Sequence, residues 1–283
     1  MASYRKKLKQ LGCPELSVNT STHSRYAVVK KPHKAELNYL PPHPEGQTAE
    51  SLEQICEELL GDVYIRDNLR VVNEKMATTF SIRRQEIVKE SLAVDVLMLR
   101  WPALFHVTQI KEEFKRLTAV DLESTFIGNL DKVMANLLGL FHAKGGIAGY
   151  KIRETMKLLD QDHGVDIRRE VVIRCLIVYL SENIEDLIEH YQDTTAVEDI
   201  AEHSLKIITR GGAPDGTPFD AEIVLDGIRV LGGLSSLMSP CISLFGLIYS
   251  LDLCYPKGLK YTFEFFQKVL LNLVQNCHQR FYH

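Results

Sequence analysis

Between Thr48 and Leu60 apolar side chains return every three or four positions, at Leu52, Ile55, Cys56, Leu59 and Leu60. That spacing predicts one apolar helix face, with the Thr48 hydroxyl as cap and Glu50 in the first turn. A second helical stretch carries Leu69, Val72, Met76 and Phe80, and a third runs through Ile87 toward Arg100, where Pro102 must break or restart it. Thr108 opens a helix bearing Ile110, Phe114 and Leu117. Asp121 opens a longer one, with Leu122, Phe126, Leu130, Val133, Met134, Leu137 and Phe141 on one stripe. Gly145-Gly146 ends it, and a shorter helix runs to about Leu159. Asp166 then caps a segment in which 171–180 is apolar except for Arg174, which predicts a central, enclosed helix. Asn183 and Asp186 form a capping-box-like start for a helix ending near Tyr191.

The period then changes. Residues 205–209 and 221–225 are short β-prone runs, separated by Gly211-Gly212 and Pro214-Asp215-Gly216. Asp226-Gly227 is a dipeptide preferred by tight hairpins, and it leads into a further strand candidate at 228–231. A small antiparallel hairpin or three-stranded sheet is therefore expected near 205–231. Helices return over about 234–251 and from Lys260 to about Asn276. The expected fold is mainly α: a multi-helical globular domain over 48–276 with this β insertion, behind a flexible basic arm at 1–47 and before a tail at 277–283.

Charge changes the picture only at the start of the chain. The net charge is −4, but residues 1–40 hold eight basic side chains against two acidic ones, which leaves the remainder at about −10. Such an arm could touch nucleic acid or anionic lipid; a solvated tail is the preferred reading because its charges are scattered. The six cysteines show no C-x-x-C spacing, and Cys175 and Cys241 sit in apolar segments. Reduced, buried thiols are expected, and with them an intracellular location, cytoplasmic or nuclear. The first eleven residues are basic but lead into no apolar stretch of the kind a signal peptide needs.

The 22 residues 230–251 carry no charge, a length sufficient to cross a bilayer. Five serines, three glycines and a proline make that insertion poor. One face reads Leu234, Leu237, Met238, Cys241, Ile242, Phe245 and Ile248; another reads Ser235, Ser239, Ser243, Gly246 and Ser250. Small residues at that spacing let a neighbouring backbone approach, so a buried helix is expected rather than a span, kinked at Pro240.

Candidate chemistry is sparse. Lys144-Gly145-Gly146-Ile147-Ala148-Gly149-Tyr150-Lys151 fits neither phosphate-loop pattern, and its glycines are read as a cap and a close helix crossing. No zinc or calcium spacing and no serine or cysteine nucleophile signature occurs, so no catalytic residue, cofactor or metal ligand is assigned. Two arginine pairs remain, Arg83-Arg84 and Arg168-Arg169. The second lies in a first helical turn, where the dipole disfavours cations, so Asp162, Asp166 or Glu170 should pair with it. All four arginines are also candidate anion or partner contacts.

Several blocks resemble a known family: Thr79-Phe80-Ser81-Ile82-Arg83-Arg84-Gln85-Glu86-Ile87-Val88, Arg100-Trp101-Pro102-Ala103-Leu104-Phe105, Glu113-Phe114-Lys115-Arg116-Leu117-Thr118 and Asp166-Ile167-Arg168-Arg169-Glu170. Gly246-Leu247-Ile248-Tyr249 and Tyr255-Pro256-Lys257-Gly258-Leu259-Lys260-Tyr261-Thr262-Phe263-Glu264 extend the likeness, over roughly 36–275. Together they are similar to the fish-expanded family related to sterile alpha motif domain-containing protein 3, in the helical region downstream of the motif domain. That domain itself is not among these residues. The resemblance supplies no catalytic residues. Pro240 departs from the small, helix-compatible residue of the relatives, and 276–283 also diverge.

The expected function is accordingly a non-enzymatic protein-interaction or scaffold module with protein partners and no membrane span. A nucleic-acid-associated protein using the arm and the arginine pairs is the first alternative; an enzyme with an unrecognised site is the second.

Overall fold

The computed structural model describes residues 40–65, 68–90, 92–161, 164–191, 200, 203–211 and 219–273. The arm expected over 1–47 lies outside them up to residue 39, as do the tail 277–283, Asp162 and Pro214-Asp215-Gly216. The fold is mainly α-helical with a small sheet, as the periodicities predict. Two compact units divide the described chain.

The sheet-bearing unit takes residues 40–123 and Leu187–Tyr255. Helix α1, Ala49–Asp62, begins with a reciprocal cap. Thr48 Oγ1 accepts from the Ser51 backbone at 3.2 Å, and Ser51 Oγ accepts from the Thr48 backbone at 2.9 Å. Leu52, Cys56 and Leu59 face inward from it, as the spacing predicts. Helices α2, Leu69–Thr78, and α3, Phe80–Gln85, follow, and α3 widens into a π turn at Glu86–Glu90. Helix α4, Val94–Arg100, then stops before a 3-10 turn at Pro102–Phe105, so the proline restarts the chain rather than continuing the helix. Helix α5, Val107–Thr118, buries Ile110, Phe114 and Leu117.

The sheet has the order β1-β2-β3-β4. Strands β2 (Leu205–Arg210), β3 (Asp220–Leu225) and β4 (Ile228–Leu234) form the expected antiparallel set. Asp226 and Gly227 join the last two with φ of 48° and 74°, the left-handed pair that a two-residue hairpin turn requires. Strand β1, Ile188–His190, corrects the sequence reading of a helix from Asn183 to Tyr191. Only a 3-10 turn forms, at Ile184–Asp186, and Ile188 then pairs in parallel with Ile207. Three residues are too few for a strand period to stand out, and the pairing partner lies beyond a long connection.

The uncharged stretch 230–251 is also redistributed. Its first residues complete β4, and the helix expected from Leu234 begins at Met238: α10, Met238–Ser250. Every residue of α10 except Ser239 is buried. Pro240 is the third residue of the helix, where its missing N–H has no intrahelical acceptor to lose, so the expected kink has no cause. Small residues do permit a close approach. A Cβ on Gly246 would lie 2.5 Å from Ile110 Cγ2 and 2.8 Å from Leu122 Cδ2. Phe114, Phe245 and Tyr249 pack ring against ring beside that contact, with centroids 5.0 to 6.0 Å apart. Among the described residues no helix is long and apolar enough to cross a membrane.

The second unit is helical and takes Ser124–Asp186 and residues 256–273. Helix α6, Leu122–His142, contributes Phe126, Leu130, Leu137 and Phe141, all fully buried, while Val133 and Met134 are partly covered. Helix α7, Gly146–Met156, starts on Gly145, with Gly146 at φ 68°. A Cβ on Gly149 would collide with the Lys144 carbonyl, so this glycine serves the turn and not the helix crossing expected of it. After α8, Leu158–Gln161, comes α9, Val165–Tyr179. Its N-cap is Gly164 rather than Asp166, which sits in the first turn. Residues 171–180 are buried except for Arg174, as their composition predicts. Helix α11, Lys260–Phe265, continues into a π turn at Phe266–Leu270, whose Leu270 carbonyl accepts from Asn129 Nδ2 at 2.8 Å.

Candidate interaction surface

The two arginine pairs have opposite fates. Arg83 is fully buried. Its Nε and Nη2 donate to the two oxygens of Glu113 at 2.7 and 2.6 Å. Nη1 reaches Thr79 Oγ1, and Nη2 also reaches the Met76 carbonyl. The guanidinium lies 5.0 Å from the Trp101 ring centroid. Arg116 adds a second cation to Glu113 at 2.9 Å. Burial alone would push the Glu113 carboxyl up, but the charges and hydrogen bonds of Arg83 and Arg116 hold it below its ordinary value. Arg84 is equally buried and donates to the Ser250 carbonyl at 3.0 Å, a cation at the C-terminal end of α10. Burial draws its pKa below the usual arginine value.

Arg169 lies nearer the surface, forked onto Asp131 at 3.0 and 2.7 Å and bonded to Asp166 at 3.1 Å. Asp166 is one of the partners expected from the sequence; Glu170 instead takes Arg174 at 2.8 Å. Arg168 is exposed.

A further polar knot joins Glu86 to its neighbours. Trp101 Nε1 donates to Glu86 Oε2 at 2.6 Å, and Arg100 bridges Glu86 and Glu53. The hydrogen bonds from Arg100 lower the Glu53 carboxyl and raise the guanidinium. Burial pushes the Cys56 and Cys175 thiols up, to about 11 and about 12, so neither is a ready thiolate. Among the described residues no three His, Cys, Asp or Glu side chains gather as a metal site would need.

Among the described residues, two concave surfaces stand out. A cleft of about 250 Å³ in the sheet-bearing unit is lined by Val63, Ile65, Leu69, Val72, Ala103 and Gln109, among others. Gln109 is itself buried and donates its amide to Asn73. The larger groove, about 740 Å³, belongs to the helical unit. One wall is α7, presenting Ile147, Tyr150, Lys151 and Glu154; the other is the end of α9 and the turn after it, with Val178, Ser181, Glu182 and Glu185. Ile147 and Tyr150 are 82% and 60% exposed, so the α7 wall offers two large apolar side chains, one helical turn apart, to the groove.

The second wall is built by the way α9 ends. The Glu182 N–H bonds the Ile177 carbonyl and the Ser181 N–H bonds the Val178 carbonyl, a Schellman cap with Ser181 at φ 67° in the position glycine prefers. The reversal aims Glu182 at α11. One of its oxygens accepts from the Tyr261 N–H at 2.6 Å; the other takes the Thr262 N–H at 2.9 Å and the Thr262 hydroxyl at 2.6 Å. Burial nonetheless raises the Glu182 carboxyl pKa, more than these hydrogen bonds lower it.

The sequence reading passed over this groove. Ile147 and Tyr150 look like core residues in an apolar-glycine run, and the only signal is that Ile147, Tyr150, Lys151 and Glu154 share one helix face at spacings of three and four.

By fold, then, the chain is a helical protein carrying a small mixed sheet and an apolar-rimmed groove. Residues 50–106 match the family model described as sterile alpha motif domain-containing protein 3, helical domain, and this stretch is similar to that helical region. The match covers about a fifth of the chain, from α1 to just past the Pro102–Phe105 turn, and includes the Thr79 and Arg100 blocks that carry the resemblance. No curated protein and no solved structure matches the chain.

Proposed function

We propose that this protein is a non-enzymatic interaction module, and that the groove between α7 and Ser181–Glu185 receives a segment of a protein partner. The observation that carries the reading is the exposure of Ile147 and Tyr150 on the rim of a groove of about 740 Å³. Apolar area held in water gains roughly 25 cal/mol per Å² when a partner covers it, which makes such a rim the natural place for an anchor. The matching family's printed name, a helical domain of a sterile alpha motif protein, is compatible with a binding role. The test is proximity labelling of the full chain in its own cells, beside an Ile147→Asp, Tyr150→Ser variant. Both side chains are exposed, so the variant should keep its melting temperature and lose the reproducible partner set. An unchanged partner set would overturn the reading.

The nucleic-acid alternative is less favoured. Arg83 and Arg84 are fully buried, so a contact through the arginine pairs would rest on Arg168, Arg169 and the arm, and the arm up to residue 39 lies outside the described residues. Retention of RNA or DNA at low salt, falling steeply as salt rises, would revive it.

A further inference from the structure

We infer that the cleft of about 250 Å³ in the sheet-bearing unit binds a small neutral molecule that joins an aromatic or branched apolar body to a primary carboxamide. The inference does not depend on the α7 groove. It is carried by the side chain of Gln109, which lines the cleft yet is only 1% exposed. Its Nε2 is held by Asn73, a residue outside the lining, so the Oε1 end of the amide is the one left toward the cleft. That oxygen is buried and accepts no hydrogen bond among the described residues. A buried carbonyl without a donor has lost its hydration and gained nothing in exchange. A ligand that brings an N–H to it therefore gains the full hydrogen bond.

The other walls define the rest of the ligand. The cleft runs along the start of α5, through His106, Thr108 and Gln109. The His106 side chain makes no capping hydrogen bond, and the helix ladder begins only with the Ile110 N–H on the His106 carbonyl. A helix start of that kind receives an acceptor oxygen. A carboxamide meets both demands, with its N–H on Gln109 Oε1 and its oxygen on the first amides of α5. A carboxylate has the oxygen but no donor, and it sets negative charge against the Oε1 lone pairs. Val63, Leu69, Val72 and Ala103 supply apolar contact for the body. A dry cavity of about 150 Å³ holds one benzene, so 250 Å³ leaves room for a single ring with a compact polar substituent.

The experiment titrates the full chain with benzamide, methyl benzoate and benzoate, probes that share one ring, and reads binding by saturation-transfer NMR. Benzamide should bind about tenfold more tightly than the other two, which bring no donor to Gln109. In Gln109→Leu that preference should vanish. Leu69 is 52% exposed at the first position of α2, where an acidic residue suits the helix dipole. Leu69→Asp should therefore keep its melting temperature and bind benzamide several-fold more weakly. If Gln109→Leu does not fold, the three-probe comparison on the native chain and the Leu69→Asp titration decide the matter. Equal binding of the three probes, a preference that survives Gln109→Leu, or benzamide affinity indifferent to Leu69→Asp overturns the inference. So does the absence of benzamide binding up to its solubility, because the cleft then serves only water.

Discussion

Arg83-Arg84 and Arg168-Arg169 are the same dipeptide in two environments, and the contrast separates what arginine does inside a protein from what it does at the surface. Arg83 has no contact with water and a two-pronged bond to a carboxylate that is itself fully buried. Arg169 forks onto Asp131 and Asp166, whose side chains are 41% and 71% exposed. In the first case both charges have lost their hydration, so each depends on the other. In the second, water and salt share the task. The interior pair is an architectural commitment; the surface pair is an adjustable one.

The sharpest way to break the contrast is to remove one partner. Glu113→Leu strands Arg83 in the interior, takes the carboxylate from the partly buried Arg116, and should lower unfolding free energy by about 3–5 kcal/mol in urea titration. Replacing both partners, Arg83→Met with Glu113→Leu, should recover much of that loss. If single and double variants are equally unstable, it is the packing and not the charge that matters.

A charge-free control tests the same unit. Gly246→Val drives a side chain toward Ile110 and Leu122 and should cost about 1–3 kcal/mol by thermal melting, without altering the salt dependence.

Acid sharpens the comparison further. The Glu113 carboxyl is depressed in the folded state, so its contribution is present above the ordinary carboxylate pKa near 4.5 and is lost as pH falls below it. Asp131 is depressed in the same sense, chiefly by hydrogen bonds from Arg169, but its exposure reduces the effect. Glu113→Gln should flatten the acid side of the stability profile measurably more than Asp131→Asn does.

At the far end of α9 from Arg169, Ser181→Gly relieves a left-handed non-glycine residue and should raise stability by about 1 kcal/mol. The smallest effect is reserved for Arg169→Ala, between about 0 and 1 kcal/mol and diminished by added salt. A loss as large as that of Glu113→Leu would erase the distinction between the two pairs.

How much of this could be read in advance depended on the distance between interacting residues. The Thr48 cap, the Asp226-Gly227 hairpin and the enclosure of 171–180 are each written within a few adjacent positions, and each stands where the pattern put it. Arg83 and Glu113 are thirty residues apart, on separate helices, and nothing local to either announces the other. Strand β1 is three residues long and is stabilised by a neighbour that the pattern could not assign to it. Of the groove, only the shared face of Ile147 and Tyr150 was visible, and that face could equally have been core.

The sequence by itself determined the helical class, the approximate limits of most helices, the hairpin turn and the burial of the two most apolar segments. Those properties follow from periodicity and from the backbone preferences of glycine, proline and capping residues, all of which act over a few residues. Only the tertiary structure decided which arginines lost their water, that the last strand ran on to Leu234 so that the helix began at Met238, and that the α7 face stayed open. Each of those outcomes is set by what another part of the chain places beside it, and desolvation is a property of the neighbourhood rather than of the residue.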